Sequence, residues 1–258
     1  MGKESGKARS LPQPAEKIGS RSSGFRPPEA RRERTVSKGE MNNIILGDCL
    51  EVLKTFPNGS VDFVATDPPY LVEWQSNRRK DKWDIIANDK DDSWILPVFS
   101  EIYRVMKPDS LCLTFYGWPD ADKFVSAFKQ AGFGIKSHIV WVKNNMGLGW
   151  FTRGQHEQAY LLSKGHPEKP ENAISDVIHA VGTGNELHPT QKPISLMAKI
   201  IRCYTKEGDI VLDPFCGSGT TLMAAKQMGR NYIGIEVSEE FYKVASERVA
   251  NAQVPMFL

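Results

Sequence analysis

From Met41 onward, short apolar runs alternate with longer segments whose apolar positions recur at helical spacing, and turn residues separate the two kinds. Ile44-Ile45-Leu46 ends at Gly47-Asp48, Leu50, Val52, Leu53 and Phe56 suit a short helix, and Pro57-Asn58-Gly59 is a turn. The pattern then predicts strands at 61–66, 111–116, 137–142, 157–163, 209–213 and 231–236. Helices are predicted at 94–106, 121–131, 220–228 and 241–250, with another after Pro193 that carries Met197, Ile200, Ile201 and Tyr204. Residues 143–152 read as loop and 164–187 as irregular. Strands alternating with helices predict an α/β fold with a doubly wound, mostly parallel sheet.

The 258 residues are enough for one such domain with a sizeable core. The formal net charge of +2 hides an uneven distribution: residues 1–40 carry ten bases and five acids, so 41–258 are net negative. The same forty residues hold five Gly, four Pro, six Ser and the lone aromatic Phe25, a composition that cannot repay its ordering entropy. Residues 1–40 are therefore expected to be a disordered basic arm or an upstream extension, and 41–258 the folded domain. No apolar stretch approaches the roughly 20 residues that cross a bilayer, and no secretory signal opens the chain, so a cytoplasmic, non-membrane protein is expected. Four dispersed cysteines without a C-x-x-C pair indicate reduced structural thiols and no metal site.

Asp213-Pro214-Phe215-Cys216-Gly217-Ser218-Gly219-Thr220-Thr221 joins a predicted strand to a predicted helix, where glycines let backbone N–H groups approach a ligand. Glu236 ends the next strand 23 residues after Asp213, about the offset at which an acid meets ribose hydroxyls. Leu222 stands where a dinucleotide fingerprint has its third glycine, and there is no G-x-x-x-x-G-K-[ST] loop, so a nucleoside without pyrophosphate fits better than NAD or ATP. The plain alternative is an ordinary strand-to-helix turn.

Asp67-Pro68-Pro69-Tyr70 follows a strand whose ladder the prolines cannot continue. It should project at the carboxyl edge of the sheet, where α/β ligands bind. A carboxylate, a carbonyl in stiffened backbone and a tyrosine ring suit a planar base bearing an exocyclic amino group. A proline-stiffened turn with a half-buried tyrosine is the alternative.

Together the two motifs resemble the amino-methylating DNA methyltransferases, which use S-adenosylmethionine to methylate adenine N6 or cytosine N4. The order, with His188-Pro189-Thr190-Gln191-Lys192-Pro193 just before the glycine loop, is similar to the permuted order of the family's β group. The resemblance implies a Rossmann-like methyltransferase fold. It implies that Asp213, Phe215, Gly217, Ser218, Gly219, Thr220 and Glu236 line the cofactor pocket, that Asp48 meets the cofactor's adenine, and that Thr190 and Lys192 meet its methionine carboxylate. For Asp48 a helix cap is the alternative. Asp67, Pro68, Pro69 and Tyr70 would hold and stack the target base after it leaves the helix. Asp at position 67 favours adenine N6, with cytosine N4 next and a non-catalytic nucleic-acid or S-adenosylmethionine binder as the reading from another class. C5 methylation would need a thiolate in Pro-Cys, which is absent, and Cys216 reads as a packing residue.

Trp74, Arg78, Arg79, Lys80, Lys82 and Trp83 directly follow the tetrapeptide and are candidate DNA contacts, against the alternative of a solvated loop. Residues 143–153 and Gln155-His156-Glu157 form a second candidate surface, within a short recognition insert around 143–187, with Lys143, Arg153 and His156 its candidate DNA contacts; Gln155-His156-Glu157 resembles the family's motif near the target pocket, with a surface turn as the alternative. Only residues 165–187 separate Lys164 from His188, so recognition is expected to be short or relaxed, without an obligate nuclease partner; a homodimer stays open.

Overall fold

The computed structural model describes Gly2 and residues 41–71, 91–147, 151–182 and 191–253. The chain divides into Met1–Arg32 and Glu33–Leu258, and the fold below belongs to the second. The expected arm at 1–40 lies outside the described residues, apart from Gly2.

Among the described residues eight strands form one sheet. They are β1 (Asn43–Leu46), β2 (Val61–Thr66), β3 (Met106–Phe115), β4 (Gly134–Val142), β5 (His156–Lys164), β6 (Val177–His179), β7 (Ile210–Asp213) and β8 (Asn231–Glu236). The helices are α1 (Cys49–Lys54), α2 (Ile95–Val105), α3 (Ala121–Ala131), α4 (Ile194–Tyr204), α5 (Thr220–Gln227) and α6 (Glu239–Asn251). Strand order is β1-β8-β7-β2-β3-β5-β4-β6. Every neighbouring pair is parallel except β3 with β5 and β4 with β5, so β5 alone runs against the rest.

The helices cover both faces. In α2 the buried residues Ile95, Val98, Phe99, Ile102 and Val105 make one stripe, and they pack with α1 and α3 against Val64, Cys112 and Leu212. On the other face Leu196, Met197, Ile200 and Ile201 of α4 pack with α5 and α6 over Phe63, Leu113 and Val211. The doubly wound, mostly parallel sheet is thus present, with alternate strand residues feeding two separate cores.

Four elements depart from the sequence expectation by two residues or more, among them β4, which begins at Gly134 rather than 137 because Gly134 and Ile135 already pair with Ser163 and Leu162 of β5. β6 lies in the stretch read as irregular; three residues pairing with Val140–Val142 at the sheet edge are too short to leave a periodic trace. β3 begins at Met106 rather than 111, because Met106 pairs with Val61 before the polar Lys107–Ser110 interrupts the apolar pattern. α6 begins at Glu239, capped by the Ser238 hydroxyl on the Phe241 N–H, so its first turn is acidic rather than apolar. No helix among the described residues is long and apolar enough to cross a membrane.

Candidate active site

β2 and β7 are neighbours in the sheet, so the two motifs, far apart in sequence, leave it side by side. The Thr66 hydroxyl at the end of β2 donates to Asp213 Oδ1 at the end of β7, 3.0 Å away. That oxygen also accepts the Phe215 N–H at 3.1 Å, which folds the loop back on itself. Burial pushes the Asp213 carboxyl up to about 7, against the opposing pull of the Thr221 hydroxyl, the Phe215 N–H and the Thr66 hydroxyl.

The glycine loop is held from beneath by the next strand. Glu236, at the end of β8, accepts the Gly217 N–H on one oxygen and the Ser238 N–H on the other, both at 2.9 Å. Gly219 sits at φ +79°, and a Cβ there would come within 3.2–3.3 Å of Ala245 and Val249 of α6. Arg248 donates to the Ser218 carbonyl. Leu222 has its own compensation: a Cβ on Gly234 of β8 would lie 2.4 Å from the Leu222 side chain. Here the glycine that lets helix and strand pack closely is Gly234, on the strand. Cys216, buried against this contact, has its thiol pushed well up by burial and is a packing residue.

The loop fits a nucleoside-bearing ligand. Thr220, in the first turn of α5, is buried and its hydroxyl has no hydrogen-bond partner among the described residues. A buried hydroxyl without a partner at a helix N-terminus keeps its donor and acceptor capacity unspent. Phe215 is fixed edge-on by Trp94 at 5.4 Å, a contact that sequence reasoning did not foresee. Asp48 is exposed at the end of β1, where its Oδ1 accepts the N–H groups of Leu50 (3.0 Å) and Glu51 (3.2 Å) and caps α1. Thr190 lies outside the described residues.

Asp67 and Tyr70 belong to a cluster of charges. The Tyr70 hydroxyl donates to Asp67 Oδ1 at 2.5 Å, and the Lys192 ammonium contacts Asp67 Oδ2. Lys192 also lies 3.0 Å from Glu157 Oε2 and 3.3 Å from the Tyr70 hydroxyl, with its ammonium 4.7 Å over the Phe115 ring. Glu157 Oε1 in turn meets the Lys143 ammonium at 2.5 Å. Burial raises the Asp67 carboxyl, with Lys192 opposing and Glu157 adding to the rise. For Glu157 burial also opposes the charge, but Lys192 and Lys143 outweigh it and hold the carboxyl below the usual range. Burial works against the Lys192 ammonium as well, yet Asp67 and Glu157 carry its pKa upward. Burial, then the two carboxylates, push the Tyr70 phenol far up, so it stays a neutral donor.

A family model for N6/N4 DNA methylases matches residues 61–180 and 174–247. The chain belongs to the N6/N4 DNA methylase family. A protein named as a methylase, YubD of Escherichia coli (strain K12), is 43% identical over 216 residues, covering 84% of this chain and 93% of its own. Type II methyltransferase M.HinfI of Haemophilus influenzae is 31% identical over 246 residues, covering 81% and 68% respectively. Among solved structures, the S-adenosylmethionine complex of M1.HpyAVI is similar at 28% identity and TM-score 0.63, covering 80% of this chain and 98% of that one. So is the S-adenosylmethionine complex of TTHA0409 from Thermus thermophilus, at 25% identity and TM-score 0.66, covering 84% and 96%.

Within this methylase two of the candidate lysines have partners in the protein itself. The Lys192 ammonium is held by the protein carboxylates Asp67 and Glu157, the fixed counter-charges that a lysine side chain 5% exposed needs. Lys143, a candidate DNA contact, pairs with Glu157 while its side chain stays 32% exposed. Two further residues join the site, Glu157 from the Gln155-His156-Glu157 stretch and Gly117, which no sequence signal singled out. Glu157 arrives because antiparallel β5 starts at the edge where the parallel strands end. Gly117, just after β3, leaves room for Tyr70: a Cβ there would lie 2.8 Å from both the Cβ and the carbonyl oxygen of Tyr70.

Arg153, on the β4–β5 connection, and His156, the first residue of β5, are exposed, with Arg153 Nε donating to the Gly147 carbonyl at 3.1 Å. Phe151 beside them is fully exposed and Met146 more than half so. Trp74, Arg78, Arg79, Lys80, Lys82 and Trp83 lie outside the described residues. No group of metal-binding side chains occurs among the described residues.

Proposed function

We propose that this methylase transfers the methyl group of S-adenosylmethionine to the N6 amino group of adenine in DNA, after the base has left the helical stack. The observation that carries the reading is the Thr66–Asp213 hydrogen bond, which locks the tetrapeptide and the glycine loop together at the ends of adjacent strands. Asp67, rather than a serine, at the head of the tetrapeptide supports adenine over cytosine N4.

In this reading the Gly217–Gly219 loop and the Thr220 hydroxyl hold the cofactor, with Phe215 against it and Glu236 at its ribose. When bound, S-adenosylmethionine supplies an electrophilic methyl group on a sulfonium. Asp67 accepts one amino hydrogen of the target and the Pro68 carbonyl the other, while Tyr70 stacks on the ring. Both acceptors draw the amino nitrogen's lone pair out of ring conjugation. With S-adenosylmethionine bound, that pair would take the methyl carbon as sulfur keeps the electrons of the carbon–sulfur bond, and Asp67 would be the acceptor in reach of the proton the nitrogen then loses. No covalent enzyme adduct is needed, and positioning with fixed charge carries the rate.

Arg153 and His156 would meet DNA at the rim, and recognition would be short or relaxed, without an obligate nuclease partner. The test is methyl transfer to DNA by wild type and Asp67→Ala, followed by nucleoside analysis. N6-methyldeoxyadenosine from wild type alone is the expected product. N4-methyldeoxycytidine would move the assignment to cytosine, and equal labelling by both proteins would remove it.

A further inference from the structure

We propose that Glu157 is a positioning residue for the transfer: from the start of β5 it shares the Lys192 ammonium with Asp67, and so sets how the Asp67 carboxylate meets the target amino group. The inference rests on the methyltransferase reading above.

The geometry is that of two carboxylates competing for one cation. Lys192 contacts Asp67 Oδ2 and lies 3.0 Å from Glu157 Oε2, and with its side chain 5% exposed it has little access to water as a substitute. An ammonium given wholly to Asp67 would engage the lone pairs that the amino hydrogens need, whereas a shared one leaves them partly available. Lys143, 2.5 Å from the other Glu157 oxygen, limits how far Glu157 draws Lys192 away. Among the described residues, the two carboxylates and two ammoniums of this network balance in charge, as a half-buried network requires.

Among the described residues, the charged and titratable groups facing Asp67 are Tyr70 on its own loop, Lys192 ahead of α4, Glu157 on β5 and Asp213 at the end of β7. Glu157 is the negative one nearest the shared ammonium, and its field raises the Asp67 carboxyl. Its removal has two separable consequences. Lys192 turns fully to Asp67 and weakens it as an acceptor, which lowers kcat. Asp67 also loses a like charge, so the acid limb of the pH profile moves to lower pH.

The experiment compares wild type, Glu157→Gln and Glu157→Asp for methyl transfer to DNA across pH, with S-adenosylmethionine affinity and thermal melting measured alongside. Expected for Glu157→Gln is a kcat roughly tenfold lower with cofactor affinity and the KM for DNA within about threefold, and an acid limb displaced downward. Glu157→Asp, which keeps the charge, should return the limb to its wild-type position and recover part of kcat. If Glu157→Gln does not melt cooperatively, Glu157→Asp decides alone: a several-fold lower kcat with an unmoved limb supports the proposal, and an unchanged kcat overturns it. A Glu157→Gln enzyme with wild-type kcat and limb, or a loss confined to the KM for DNA, overturns the proposal while leaving the methyltransferase reading intact. A wild type that labels no DNA removes the reading itself, and the proposal with it.

Discussion

Lys192 and Asp67, 125 residues apart in sequence, form an ion pair at the carboxyl end of β2. One carboxylate oxygen is thereby committed to an ammonium and the other to the Tyr70 hydroxyl, so the acceptor proposed for the target amino group is oriented before any ligand arrives. Such preorganisation is where enzymes gain most from fixed charge.

Replacing Lys192 by Met should shift the acid limb of kcat/KM upward. Burial already raises the Asp67 carboxyl and Lys192 opposes that rise, so without the ammonium Asp67 stays protonated to higher pH. Activity should be lost near neutrality and partly recovered on the alkaline side, opposite in direction to the shift expected for Glu157→Gln. A pH profile that does not move would show that Lys192 does not control Asp67.

Gly117→Ala should impair transfer while sparing the glycine loop. The new Cβ would lie 2.8 Å from Tyr70 backbone and side-chain atoms, so Tyr70 must shift, at a cost of about 1–3 kcal/mol. Denaturant unfolding should report the loss of stability. Titration with S-adenosylmethionine should remain close to wild type, with a lower kcat on DNA.

Thr220→Val is expected to act with opposite signs on the free and the cofactor-bound protein. The buried hydroxyl has no partner among the described residues, and removing such a group relieves a desolvation cost of about 1–3 kcal/mol. Unfolding without cofactor should therefore show equal or greater stability, while S-adenosylmethionine binds more weakly. Tighter or unchanged cofactor binding would mean that the hydroxyl does not face the ligand.

Gly234 and Leu222 should behave as a coupled pair. Gly234→Ala drives a methyl into Leu222, and Leu222→Ala opens a core cavity costing about 2–5 kcal/mol. The double variant should be more stable than the sum of the two losses implies, since the new alanine methyl enters the space the leucine leaves. Additive losses in a double-mutant cycle would contradict the packing described.

The alternation of strands and helices, the glycine loop and the Asp-Pro-Pro-Tyr tetrapeptide were all readable from residue order. Each rests on local rules: side-chain period, proline's missing N–H, and glycine's access to positive φ. Those rules place Asp67 and Asp213 at strand ends without any knowledge of their neighbours. They are silent on which strands lie side by side, and everything that couples the two motifs depends on that order. β7 beside β2 joins Asp213 to Thr66, and the single reversed strand, β5, brings Glu157 to the edge where β2 ends. The partner of Lys192, the void that Gly117 keeps for Tyr70 and the close packing of Leu222 on Gly234 are likewise products of contact between distant segments. A charge or a cavity has no partner until the chain is folded, so the sequence determined which groups the site would contain, and the tertiary structure alone decided which of them hold one another in place.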